Sequence, residues 1–324
     1  MPLSLYVDGE RWRAHLRRVA DAHPGIVPVA KGNGYGFGVA RLARRVDWLG
    51  APMMAVGTYE EAPEALKRYA GDVLVLSPWR PNSPAPQDRR LVHTVGRVED
   101  LTALAESQRG VRPRVLLEAL TSMGRHGLTS DELRDVDPSG VSVEGLALHL
   151  PMTGAGGSHV REAEHWLDLA RSLGVSDRLY VSHLSDLELA DLRRRHPGVT
   201  LRPRIGTALW LGDRGALSPR ATVLDAHAVS RGDRVGYRQR PVPRRGHVLV
   251  VAGGTAHGVG LEAPTAATSV RSRAIAAARG SLDAAGLALS PFRVDGKQRW
   301  FVEPPHMQVS MIFVPAGAAR PALG

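Results

Sequence analysis

Lys31 stands directly after the apolar run Ile26-Val27-Pro28-Val29-Ala30 and directly before Gly32-Asn33-Gly34-Tyr35-Gly36-Phe37-Gly38. Of the 42 lysines and arginines in this 324-residue chain, only Lys31, Lys67 and Lys297 are lysines. A chain that uses arginine almost everywhere keeps a primary amine here. Arginine stays protonated, whereas lysine can lose its proton and form a Schiff base with a carbonyl. The glycines at 32, 34, 36 and 38 let backbone come close to a ligand. An amine at a strand end beside such a loop reads as a point of covalent cofactor attachment. The plain alternative is a solvated lysine whose stem lies over apolar surface.

Short apolar runs recur near Val27–Ala30, Met53–Val56, Val73–Leu76, Val92–Thr94, Val115–Leu117, Val143–Leu148, Leu179–Val181 and Leu201–Arg204. Amphipathic stretches such as Glu60–Tyr69, Val98–Arg109 and His159–Leu173 separate them. Strands alternating with helices predict a parallel sheet. Eight such units predict an α/β fold closed into a (β/α)8 TIM barrel over residues 1–215, with its chemistry at the carboxyl ends of the strands. Polar residues stand at those ends: Lys31 and Tyr35; Glu118 and then Arg125; His149; Ser182, His183 and Ser185; and Arg204-Ile205-Gly206-Thr207. The pattern changes after about residue 215. The runs Ala221–Val229, Arg234–Tyr237, Gly246–Ala252, Trp300–Glu303 and Met307–Val314 predict a smaller, mostly β C-terminal domain over 216–324. A helical insert is expected near Thr265–Ala285.

Cysteine is absent, which excludes disulfides, cysteine-ligated zinc and thiol catalysis. A net charge of +10 raises nucleic acid or an acidic membrane as partners. The arginines are scattered among alanine and leucine, as in Ala40-Arg41-Leu42-Ala43-Arg44-Arg45, and aromatics are too sparse for a stacking platform. The charge is therefore expected on solvated helix faces, with no nucleic acid and no membrane partner. The first residues lack the basic and long apolar regions of a signal peptide, and no apolar run is long enough to span a bilayer. The expected compartment is the cytoplasm.

Five segments together resemble the alanine racemase family, which carries pyridoxal 5'-phosphate. Val29-Ala30-Lys31-Gly32-Asn33-Gly34-Tyr35-Gly36-Phe37-Gly38 is similar to the family's cofactor-lysine motif. Ser122–Gly127, Glu144–His149, Arg204–Trp210 and Arg231–Tyr237 resemble four further motifs in the same order. The resemblance implies that Lys31 attaches the cofactor and serves as one of two bases. It implies that Tyr35, Ser185 (with Ser182 as the alternate), Gly206 and Thr207 bind the phosphate. It also implies that His149 packs on the pyridine ring, that Arg204 donates to the ring nitrogen, and that Arg125 contacts cofactor and substrate carboxylate. Tyr237 would be the base on the opposite face, supplied by the partner subunit of a head-to-tail homodimer. Racemisation of an amino acid, alanine foremost, is the implied activity. Glu118 stands where the family usually has a lysine, often carbamylated. An anion built into the sequence there is expected to pair with Arg125.

The second domain departs from the family pattern. Gly254-Thr255-Ala256-His257-Gly258 replaces an aromatic and an acid, and Ser310-Met311-Ile312 lacks the usual acid after methionine. The backbone N–H of Met311 remains a donor for a substrate carboxylate. The chain ends at Gly324, before the family's last strands. A different or larger amino acid, or a non-catalytic cofactor-binding homologue, is the competing expectation. A metal-assisted lyase on the same barrel is less well matched, since His306 has no Asp or Cys close after it.

Overall fold

A computed structural model describes residues 3–107, 112–152, 158–261, 271, 274–278, 280 and 287–324. The chain divides into two compact units, Gly9–Arg214 and Met1–Asp8 joined with Gly215–Gly324.

The larger unit is the barrel. Its strands are β2 (Val27–Pro28), β3 (Met53–Val56), β4 (Asp72–Pro78), β5 (Leu91–Val95), β6 (Arg114–Glu118), β7 (Ser142–His149), β8 (Arg178–Ser182) and β9 (Thr200–Ile205). They form one parallel sheet in the order β2-β9-β8-β7-β6-β5-β4-β3. A parallel bridge between Val29 and Ala55, with the Ala30 N–H on the Ala55 carbonyl at 2.7 Å, joins the two ends. Each of the eight apolar runs is thus a barrel strand. Val27, Val29, Met53, Ala55, Leu74, Val92, Leu116, Ala147 and Tyr180 fill the interior. Strands buried on both faces read as continuous apolar runs, which is why they stand out in the sequence.

Helices α1 (Gly9–Ala22), α3 (Val39–Leu49), α4 (Ala62–Leu66), α5 (Val98–Ser107), α6 (Ser130–Arg134), α7 (Ser158–Ser172), α8 (Asp186–Arg195) and α9 (Thr207–Leu211) accompany them, with one short turn, α2 (Lys31–Tyr35). Helix α1 packs on α9 through Trp12, whose indole donates to the Trp210 carbonyl at 3.0 Å. Trp210 in turn donates to the Val29 carbonyl at 2.7 Å. This buried chain fixes the strand end that carries Lys31.

The smaller unit is an antiparallel sheet ordered β11-β14-β17-β16-β15. Its strands are β11 (Val223–Val229), β14 (Gly246–Ala252), β15 (Leu289–Val294), β16 (Lys297–Phe301) and β17 (Val309–Pro315). Val223, Leu249, Val251, Val294, Ile312 and Val314 form its core. Two pairs flank it: β1 (Leu3–Val7) with β10 (Leu217–Ala221), and β12 (Arg234–Val235) with β13 (Arg240–Pro241). The sequence boundary groups residues 1–215 together, but the first strand belongs here. Its five residues pair in full register with Leu217–Ala221, satisfying an edge that would otherwise be bare. The helical insert expected near Thr265–Ala285 lies largely outside the described residues; 274–278 are helical. No helix among the described residues is long and apolar enough to cross a membrane.

Candidate active site

The backbone after Lys31 turns in the left-handed sense. Gly32, Asn33 and Gly34 have φ of 63°, 50° and 61°, and Tyr35 follows at 53°. Such residues cost roughly 1–2 kcal/mol each unless they are glycine. Glycine at 32 and 34 removes that strain at half the positions. At Asn33 the turn is held by Glu61. Its Oε1 accepts the Asn33 N–H at 2.6 Å, and its Oε2 accepts the Gly57 N–H at 2.7 Å. The turn leaves Lys31 exposed and sends Tyr35 toward β9.

There Tyr35 meets Gly206. A Cβ on Gly206 would collide with the Tyr35 hydroxyl, so only glycine allows the approach. Thr207 opens α9. First-turn N–H groups have no partner within their own helix. A phenol hydroxyl and free N–H groups at one point suit an oxyanion.

Arg204 is buried at the end of β9, and one guanidinium nitrogen donates to the Leu148 carbonyl at 3.0 Å. Its Nε has no hydrogen-bond partner among the described residues. Burial works against the charge of Arg204, and Glu118 offsets that. A buried donor without an acceptor calls for one from a ligand.

His149 ends β7 and meets His183 edge-on, with ring centroids 5.0 Å apart. Burial pushes His149 down to about 4, and the positive charges of Arg204 and Arg125 add to it. It is therefore a neutral imidazole at neutral pH. Burial also lowers His183, helped by Arg204 and Lys31. His183 has an unusual φ of 68°.

Glu118 is 2% exposed at the end of β6. Its Oε1 lies 3.8 Å from the Arg125 guanidinium, and its Oε2 lies 3.2 Å from His126 Nδ1. The expected pairing is present in geometry, with His126 closer than Arg125. The loop leading to Arg125 is fixed by three hydrogen bonds. Glu162 accepts the Ser122 N–H at 2.5 Å and the Ser122 hydroxyl at 2.6 Å. Thr121 donates to the His149 carbonyl at 2.6 Å.

One expectation changes. Ser185 is the N-cap of α8: its N–H and its hydroxyl both bond Glu188 at 2.8 Å. Its side chain serves the helix start rather than standing free for a phosphate. Ser182, the alternate, sits at the buried end of β8 opposite His149.

In the smaller unit, Tyr237 is not at a strand end as the sequence suggests. It lies in the turn between β12 and β13, closed by the Gln239 N–H on the Gly236 carbonyl at 3.2 Å. Met311 lies on β17, packs against the cluster of Val229, Val242, Val248 and Phe313, and accepts the Val302 N–H at 2.8 Å.

The barrel site therefore sets Arg125 and Arg204 near the buried Glu118 carboxylate, with His149, kept neutral by burial, beside them, and Lys31 at the end of the strand next to β9. That donor set suits a flat, dianionic aldehyde whose ring nitrogen takes a hydrogen bond. Glu61 and Glu162 are the contributors that spacing alone does not reveal.

Comparison with known proteins agrees with this arrangement. The family model described as alanine racemase, N-terminal domain, matches residues 7–194. The alanine racemase of Sorangium cellulosum is 30% identical over 244 residues, which cover 66% of this chain and 62% of that protein. The match thus spans less than two thirds of that relative. Among solved structures, the alanine racemase of Bartonella henselae with covalently bound pyridoxal phosphate superposes with a TM-score of 0.73 at 16% identity, covering 100% of this chain and 89% of the other. A histidine racemase from Leuconostoc mesenteroides subsp. sake gives 0.66 at 18%, covering 98% and 86%. At these identities the structures speak for the fold.

Proposed function

Since the chain belongs to the alanine racemase family, we propose that it is a pyridoxal-phosphate-dependent amino-acid racemase, with alanine the first substrate to test. The observation that carries the reading is that β9, the neighbour of the strand leading into Lys31, ends at Arg204, whose buried Nε has no hydrogen-bond partner among the described residues. When bound, pyridoxal phosphate supplies an electron sink that acidifies the Cα–H of an attached amino acid. Lys31 anchors the group and moves a proton at its Nζ on one face of the substrate. Arg204 donates a hydrogen bond and keeps its own proton, because a guanidinium is not deprotonated in proteins. Tyr35, Gly206 and Thr207 receive the phosphate, with Ser182 a better candidate than Ser185. His149, neutral, packs on the ring. Arg125, steadied by Glu118, takes the substrate carboxylate.

Racemisation requires a second proton-transfer group on the opposite face. We assign it to the hydroxyl of Tyr237 of the partner subunit in a homodimer. Met311 is the backbone donor offered to the substrate carboxylate. The changes at Thr255, His257 and Ile312 favour a test of larger side chains beside alanine, and the histidine racemase of the same fold makes histidine the second amino acid to try.

The test is incubation of the cofactor-loaded protein with single L-amino acids in deuterium oxide. Inversion at Cα with deuterium uptake supports the reading. Cofactor binding without exchange on any amino acid favours a non-catalytic homologue instead.

A further inference from the structure

Tyr237 is 86% exposed on its own unit, yet its position is fixed by a buried carboxylate. Glu303 is 4% exposed. Its Oε2 accepts the Tyr237 N–H at 2.8 Å, and its Oε1 is 2.8 Å from His306 Nε2. The His306 ring then lies against the Tyr237 ring, centroids 4.8 Å apart and tilted by 47°. Gly236 completes the device. Its φ is 75°, and a Cβ there would run into the Glu303 carboxylate. His306 itself is held by its backbone, with its N–H on the Val309 carbonyl at 2.9 Å and its carbonyl accepting the Thr255 N–H at 2.8 Å. One acid thus locks both the backbone and the ring neighbour of an otherwise free phenol.

We infer that Glu303 and His306 are positioning residues that hold the Tyr237 hydroxyl in its productive orientation. The inference rests on the assignment of Tyr237 as the second proton-transfer group. An exposed tyrosine samples several rotamers, and a misplaced proton-transfer group loses much of its effect. A carboxylate that fixes the main chain, together with an imidazole packed on the ring, restricts that freedom before substrate arrives.

The experiment uses the full-length, cofactor-loaded protein and the variants Tyr237→Phe, His306→Asn, Glu303→Gln and Tyr237→Phe/His306→Asn. Melting temperature and the visible cofactor band are measured first. Then kcat and KM are measured in both directions, with deuterium uptake into each enantiomer followed separately. His306→Asn is expected to keep the band and KM while lowering kcat about tenfold, against roughly a hundredfold or more for Tyr237→Phe. Exchange with retention on the face served by Lys31 persists in both. The double variant is no slower than Tyr237→Phe alone, because His306 acts through the tyrosine. Glu303→Gln, which can still accept the Tyr237 N–H, falls between wild type and His306→Asn. An unchanged kcat in His306→Asn, or losses that add in the double variant, overturns the clamp while Tyr237 keeps its role. Full activity in Tyr237→Phe overturns the assignment of Tyr237, and the clamp with it.

Discussion

Glu61 reaches from the start of the helical stretch after β3 to the Asn33 N–H, at 2.6 Å, and so ties the turn behind Lys31 to the neighbouring strand. Its second oxygen holds the Gly57 N–H at 2.7 Å. Two strand ends of the barrel are therefore bound by one side chain, and the left-handed turn is stable because a charged acceptor satisfies its N–H. Glu61→Ala is expected to lose about 1–3 kcal/mol of stability and to weaken cofactor binding. Glu61→Gln, which keeps one acceptor, should lose less. Denaturant titration and cofactor titration of both variants check this. Equal stability in Glu61→Ala and wild type would contradict it.

Glu118 is the buried anion among Arg125, His126 and Arg204. Replacing it by Gln keeps the shape and removes the charge. Arg125 is half-exposed and can turn to water, so its loss is small. Arg204 cannot, so most of the expected penalty of about 1–3 kcal/mol falls there. Substrate KM should rise more than kcat falls, because Arg125 loses the anion that steadies it. Steady-state kinetics of Glu118→Gln without and with added bicarbonate provide the check. No dependence on bicarbonate is expected in the wild type, since the carboxylate needs no carbamylation.

His93 is buried on β5, where its Nδ1 lies 2.9 Å from the Tyr59 hydroxyl in a hydrogen bond. Burial raises Tyr59 well above the ordinary phenol range, so the phenol keeps its proton. Burial pushes His93 down to about 4. The native state therefore binds fewer protons than the unfolded chain between about pH 6.5 and 4. The stability from a neutral His93 is complete above pH 6.5 and is lost as pH falls toward 4, on the order of 3 kcal/mol. His149 contributes in the same direction. Urea melts of wild type and His93→Asn across this range measure it; the variant should show the shallower slope.

The barrel was legible because its strands are buried on both faces and so appear as unbroken apolar runs. The positions of Lys31, His149, Arg204 and Gly206 at strand ends were legible because each directly follows or closes an apolar run. Other features are silent in sequence. Strand β1 is mostly exposed, and its partner lies more than 200 residues away in the chain, so no local pattern announces the pairing. Ser185 misleads because Ser-x-x-Glu is also a capping box, and a bond three residues away forms before a distant ligand is met. Glu61 reads as one more acid on a polar helix face; only folding brings it to Asn33. Likewise Glu303 and His306 look like turn residues until the sheet sets them against Tyr237.

The most direct measurement is peptide mapping after borohydride reduction of the cofactor-loaded protein. The chain holds only three lysines, so the three outcomes separate cleanly by mass. The account predicts a reduced pyridoxal-phosphate adduct on the peptide containing Lys31. An adduct on Lys67 or Lys297, or a coloured protein that carries none, would contradict it.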